Sequence, residues 1–109
     1  GKISGAARQA ELQQKIADMQ EKMTEAQNAV EAQEFSASVG GGVVEAKVNG
    51  KKEIISIHIK PEAVDPEDVE MLQDLVVSAV NEALRQAGEA MDKSMDGITG
   101  GLDLSKFGL

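Results

Sequence analysis

Cysteine, tryptophan and tyrosine are absent from this chain of 109 residues, and Phe35 and Phe107 are its only aromatic residues. Without Cys, neither disulfides nor thiolate zinc sites can form. With so few aromatic rings, the chain has no platform on which nucleic-acid bases could stack. Any core must therefore be built from aliphatic residues and Met.

Long apolar runs are also missing, so no segment is predicted to cross a bilayer, and no signal-peptide pattern is present. The chain begins at Gly1 without Met, which suggests a processed or trimmed N-terminus. We therefore expect a cytoplasmic protein with no membrane partner. The length predicts one domain that gains stability from association.

The net charge of −8 is unevenly distributed along the chain. Residues 61–109 hold eleven acidic and three basic residues, whereas residues 35–60 hold four basic and two acidic residues. An acidic total disfavours broad adhesion to nucleic acid or anionic lipid. Any such binding requires a local basic patch.

The strongest periodic signal is a heptad seam in the first third of the chain. Apolar residues alternate at spacings of three and four in a stretch without Pro or internal Gly, which predicts a helix over residues 5–34. Burying one large apolar side chain is worth about 1.5–3 kcal/mol, so the seam needs a partner surface, which we expect largely on a second copy. The seam consists of Leu12, Ile16, Met19, Met23, Ala26 and Val30.

After Glu34 the apolar pattern changes to a period of two. Gly40-Gly41-Gly42 predicts one turn, and Asn49-Gly50 predicts a type I′ turn with two positive φ angles. The result is a three-stranded antiparallel meander with one apolar and one polar face. Its predicted strands are residues 35–39, 44–48 and 55–59.

A second helix is predicted from the Asp-Pro-Glu-Asp segment at residues 65–68, which supplies a cap, a first-turn Pro and acids at the positive end of the helix dipole. A broad apolar stripe follows and continues more thinly through Met91 and Met95, and Gly97 predicts the end of the helix. Residues 1–97 then form one domain. Residues 98–109 form a glycine-rich tail that is either disordered or docked on a partner.

These elements predict an α+β fold with a long N-terminal helix, a three-stranded antiparallel meander and a C-terminal helix. The sheet spans only about 15–20 Å, too little to cover both helices. We therefore predict a two-fold dimer with protruding helices, although the Met residues also suit an ordinary core. The candidate dimer-interface residues are Leu12, Ile16, Met19, Met23, Val30, Met91 and Met95.

Several short motifs follow one another at characteristic spacings: residues 19–23, 41–44, 48–50, 59–72, 74–76, 79–83 and 97–102. In order and spacing they resemble the YbaB/EbfC family of bacterial nucleoid-associated proteins over most of the chain. The resemblance implies a cytoplasmic homodimer shaped like tweezers, associated with the nucleoid. Its protruding helices would grip duplex DNA with little sequence preference, without a cofactor or a small-molecule substrate.

Arg8, Lys15 and Lys22 recur every seven residues and therefore line one edge of the first helix, where they could neutralise DNA phosphates. Alternatively, they are solvated cations paired with Glu11 and Asp18 at helical spacing.

Lys51 and Lys52 are the second DNA-binding candidates, exposed just after a tight turn. Alternatively, they are edge lysines that discourage pairing between sheets.

No catalytic or metal-binding constellation is recognisable. His58 is the only histidine, and the Gly40-Gly41-Gly42 turn lacks the Lys and Ser/Thr of a phosphate-binding loop. We therefore expect a homodimeric DNA-binding protein rather than an enzyme. The alternative is a dimeric protein-interaction adaptor that uses its exposed helices and its acidic C-terminal half.

Overall fold

A computed structural model describes residues 5–99 of the chain. In chain order, helix α1 (Gly5–Glu31) precedes a three-stranded sheet, and helix α2 (Val69–Thr99) follows it. A short 3-10 turn at Pro61–Ala63 joins the sheet to α2. This order confirms the predicted α+β arrangement, and residues 100–109 of the predicted tail lie outside the described part. The three strands are β1 (Glu34–Val39), β2 (Val44–Asn49) and β3 (Ile54–Ile59).

The sheet is an antiparallel meander with β2 in the centre. Ala46 lies opposite Ala37 on one side and Ile57 on the other, so apolar residues of all three strands share one face. The opposite face is polar: the Ser38 hydroxyl donates to Glu45 at 3.3 Å, and Lys47 pairs with Glu34 at 3.7 Å. The predicted division into an apolar and a polar face is confirmed.

The core lies between α2 and the two strands β1 and β2. α2 contributes a ridge of small residues at four-residue spacing, Ala79, Ala83 and Ala87, all of them almost completely buried. Because alanine side chains are short, the helix backbone can approach the sheet closely. The strand residues in this core are Ala37, Val44, Ala46 and Val48.

The second half of α2 leaves the sheet and packs against α1. Met19, Met23 and Ala26 of the seam are half-buried there, and Val30 is buried at the sheet end of α1. We call this pair of helices, α1 with residues 88–99 of α2, the helical arm; it makes the protein elongated, at 82 × 28 × 16 Å. The seam therefore finds part of its partner surface within its own chain, whereas the sequence interpretation assigns that surface largely to a second copy.

The turn between β2 and β3 differs from the predicted type I′ turn. Neither Asn49 nor Gly50 has a positive φ; Lys52 has, at 65°. The Asn49 side-chain oxygen accepts from the Lys51 and Glu53 amides, which holds a longer loop. Gly50 is needed for space instead, because a Cβ atom there would overlap the backbone carbonyl of Val30.

β3 contains an irregularity that the alternating pattern does not reveal. A bulge places Ile54, rather than Ile55, opposite Val48. Ile55 instead lines a depression beside the end of α1. The extra residue of a bulge changes which side chains share a face. The β3 residues on the apolar face of the sheet are therefore Ile54, Ile57 and Ile59.

Both ends of α2 differ from the prediction. Asp68, rather than Asp65, caps the helix by accepting from the Met71 amide at 3.2 Å. Asp65 instead accepts from the Glu67 amide in the turn before the helix. At the other end, the helix continues through Gly97 to Thr99, because one exposed glycine lowers helix stability by only about 1 kcal/mol.

We expect Gly50→Ala to lower the free energy of unfolding by about 1–3 kcal/mol, the usual cost of overpacking, because the new methyl group meets backbone rather than a movable side chain. Urea denaturation followed by circular dichroism measures the change. Gly88→Ala is the matched control: its Cβ atom would make only ordinary contacts with Lys52, so we expect a gain of about 0.5–1 kcal/mol. Equal stability of the Gly50→Ala variant and the original chain would contradict this account.

Candidate nucleic-acid interface

Arg8, Lys15 and Lys22 form what we call the basic stripe on α1. All three side chains are exposed. Arg8 and Lys22 are fourteen residues apart, which corresponds to about 21 Å along a helix at 1.5 Å per residue. The stripe therefore presents three cations along one straight element of the arm.

Among residues 5–99, the structure shows no ion pair between the basic stripe and Glu11 or Asp18. Within residues 5–99, the ion pairs involve Lys47, Arg85 and Lys93 but none of the three stripe cations. Asp18 instead accepts a hydrogen bond from the Gln14 amide at 2.9 Å. The stripe cations are thus available to an anionic partner.

Two of the stripe residues lie beside the C-terminal end of α2. Lys15 and Lys22 flank a shallow depression that also contains Asp18, Met19 and Ile98. The last turn of α2 has no basic residue of its own. Because the carboxyl end of a helix carries a partial negative charge, the two lysines offset it across the arm.

The second pair of candidates, Lys51 and Lys52, lies at the base of the arm, and the two side chains occupy different surroundings. Lys51 lines a depression together with Glu31, Glu34 and Glu53. Lys52 extends towards Gly88 of α2. The structure therefore does not join this pair into one surface with the basic stripe.

The candidate dimer-interface residues fall into three groups. Leu12 and Ile16 are 60% and 57% exposed, whereas Val30 is only 4% exposed within its own chain. The other four, Met19, Met23, Met91 and Met95, are half-buried. Most of the exposed apolar surface of the sheet lies elsewhere, on Ile54, Ile57 and Ile59, which are 53%, 38% and 40% exposed. Sequence reasoning missed this surface because alternation predicts which face is apolar but not which strand a helix covers.

A charge cluster on α2 also escaped the sequence interpretation, although its spacing of three and four residues is a usable signal. Arg85 donates to Glu82 at 2.7 and 2.9 Å and to Glu89 at 2.8 Å, and Lys93 pairs with Glu89 at 3.2 Å. The hydrogen bond from Arg85 lowers the pKa of Glu82, and these carboxylates raise the pKa of Arg85. Lys93 makes the largest contribution to the lowered pKa of Glu89, and Arg85 makes a smaller one. These two cations are thus already engaged.

The remaining residues that the sequence analysis considered for catalysis or anion binding are His58 and the glycine turn. His58 is exposed on the polar face opposite Glu45. All three glycines of the first turn have positive φ angles, and Gly40 packs beside Leu75 of α2, so a turn explains them. In the part of the chain that the structure describes, no three acidic or His side chains gather as a metal site. No helix in that same part of the chain is both long enough and apolar enough to span a membrane.

The fold and the site together define a class of protein: an α+β domain that presents exposed cations on a projecting helical arm. The model of the YbaB/EbfC DNA-binding family matches residues 6–102. The chain therefore belongs to the YbaB/EbfC family, which confirms the resemblance seen in its motifs. This family is one of nucleoid-associated DNA-binding proteins and not a known enzyme family.

Individual relatives agree with this assignment. The chain is 51% identical over 102 residues to a nucleoid-associated protein of Alkaliphilus metalliredigens, a match that covers 94% of this chain and 90% of the relative. It is 56% identical over 85 residues to a nucleoid-associated protein of Clostridium acetobutylicum, covering 78% and 76% of the two chains. The crystal structure of an uncharacterized Helicobacter pylori protein is similar in fold, with a TM-score of 0.60 at 22% identity over 72% of this chain and 90% of that one.

We expect Arg85→Ala to raise the pKa of Glu82 towards its ordinary value of 4.5, while Glu89 keeps part of its lowered pKa through Lys93. A lowered folded-state pKa stabilises the fold above the carboxyl's ordinary pKa, and this contribution is lost as the pH falls through the lowered value. Carboxyl NMR titrations of the variant and the original chain measure both shifts. If both carboxyls returned fully to ordinary values, the assigned role of Lys93 would be wrong.

Proposed function

We propose that this protein is a homodimer that binds duplex DNA through its helical arms, with low sequence specificity and without catalysis, and that it associates with the nucleoid. The observation that carries the proposal is the exposed basic stripe on α1, whose three cations form no ion pair with any residue from 5 to 99. Membership of a DNA-binding family supports the choice of DNA as the anionic partner.

The chemistry of the stripe favours contacts with phosphates over contacts with bases. Long flexible Lys and Arg side chains on an exposed helix neutralise phosphates, and such contacts carry no sequence information. The arm has no aromatic wedge of the kind that unstacks bases, since the one aromatic ring among residues 5–99 is Phe35 of β1. Low specificity and strong salt dependence follow. Lys51 and Lys52 have a secondary role in this proposal, because acidic residues surround Lys51.

The second half of the proposal is the dimer, and it is supported by the uncovered apolar surface of β3. We call Ile54, Ile57 and Ile59 the β3 patch. They lie on the same face as the buried core residues of β2, but α2 packs mainly on β1 and β2. Contiguous exposed apolar surface of this kind marks an association site. A second copy that covered the β3 patch would leave both arms free for DNA.

We expect replacement of Arg8, Lys15 and Lys22 by Ala to weaken duplex binding and to flatten its salt dependence. For each phosphate that the variant no longer neutralises, the negative slope of log K against log salt becomes shallower by about 0.9. Fluorescence anisotropy with a labelled duplex of mixed sequence, over about 50–200 mM salt, measures both quantities.

The matched control for this experiment replaces Lys47, Arg85 and Lys93 by Ala. It removes the same number of positive charges, but from cations that carboxylates already hold. We expect its affinity and salt slope to stay close to those of the original chain. Equal decreases in affinity in the two triple variants would show that net charge, rather than the basic stripe, governs binding.

We expect Ile57→Asp to convert the dimer to a monomer at micromolar concentration, because the charge would lie in the centre of the β3 patch. Sedimentation velocity measures the mass in solution. Ser56→Asp is the matched control, since it adds the same charge to the neighbouring position on the polar face, opposite Lys47. A well-folded monomer of the original chain, or dissociation of both variants, would refute this part of the proposal.

A further inference from the structure

The far end of the arm has an apolar surface of its own, formed by Leu12 and Ile16, which we call the distal patch. Both residues are more than half exposed. They belong to the same seam as Met19 and Met23, which are half-buried in the arm. Among the described residues, α2 reaches the seam as far as Met19, which lines one depression together with Ile98.

The packing of the arm shows how far the distal patch lies from the described end of α2. α1 and α2 run antiparallel, and Met19 and Ile98 line the same depression. Ile16 and Leu12 precede Met19 by three and seven residues. At 1.5 Å per residue, Ile16 and Leu12 lie about 4.5 and 10 Å beyond Met19 along α1.

The sequence places apolar residues in this region. Ten residues follow Thr99, beginning with Gly100-Gly101 and containing Leu102, Leu104, Phe107 and Leu109. Two glycines let a chain leave the helical path. From the level of Ile98 to Leu12 is about 10 Å along α1, and ten residues reach about 33 Å when extended.

We propose that residues 100–109, which lie outside the described part of the chain, dock on the distal patch of their own α1. Leu102 and Leu104 would cover Ile16 and Leu12, and Phe107 and Leu109 would extend the contact towards the tip of the arm. The tail then completes the apolar seam that α2 begins. The proposal does not depend on DNA binding.

The size of the patch favours the chain's own tail over a second copy. A stable interface between proteins buries about 800 Å² on each partner, and two side chains on one helix provide far less. A tethered segment, by contrast, has an effective concentration in the millimolar range. It can therefore occupy a small patch that a separate molecule would not.

The absence of Trp from the chain permits a clean test. In Phe107→Trp the only indole is in the tail, and we expect its fluorescence emission to be shifted to shorter wavelength, independently of protein concentration. Adding Leu12→Ser and Ile16→Ser should return the emission to that of a solvated indole. Ala10→Ser with Ala17→Ser is the matched control, because these exposed positions of α1 lie outside the seam. The control should retain the shift.

Three results would overturn the proposal: solvated emission in the Phe107→Trp chain, the same shift after the distal patch is removed, or loss of the shift in the control. A mixing experiment distinguishes docking within one chain from docking on a second copy. If an excess of the original chain restored the shift to the variant without a distal patch, the tail would dock on a second copy, which also contradicts the proposal.

Hydrogen exchange provides a second readout that does not depend on the indole. In the full chain, replacing Leu102, Leu104 and Phe107 by Ser should accelerate exchange of the α1 amides at residues 8–16 about tenfold, equivalent to about 1.4 kcal/mol. Exchange of α2 amides at residues 76–87, over the sheet, should not change. Unchanged exchange at residues 8–16 would contradict docking.

Discussion

The structure depends on the close packing of the α2 alanine ridge against the central strand. Ala79, Ala83 and Ala87 are almost completely buried where they meet Val44, Ala46 and Val48. Short side chains on both surfaces bring the helix backbone near the sheet, so the direction of α2 is determined by its first half. Since the helix is longer than the strands, its second half must project beyond the sheet, and it becomes the scaffold on which α1 packs.

The base of the arm is held by backbone contacts rather than by large side chains. The end of α1 lies against Gly50 of the β2–β3 loop, whose amide donates to the Gln33 carbonyl at 3.1 Å. The Asn49 side chain orders the same loop. This arrangement fixes the end of α1 against the β2–β3 loop, and the close approach of the two backbones requires glycine at position 50.

The two helices differ in how their cations are paired. On α2, Arg85 and Lys93 are engaged by Glu82 and Glu89, whereas on α1 the stripe cations form no such pairs among residues 5–99. An acidic protein can therefore present a local basic edge. Screening by salt weakens long-range repulsion between exposed charges, so the acidic total of the chain does not prevent an anion from contacting the stripe at short range.

The sequence by itself determined the order of elements, the heptad seam, the apolar and polar faces of the sheet and the family, because each depends on local periodicity or on motif spacing. It also placed Arg8, Lys15 and Lys22 on one helix edge. Tertiary structure decided which apolar surfaces are covered: Met19 and Met23 are half-buried and Val30 is buried within the chain, whereas the β3 patch stays open. It also moved the helix cap to Asp68 and gave Gly50 a steric role. Periodicity identifies a face that must be buried, but only the three-dimensional path of the chain determines which surface meets it.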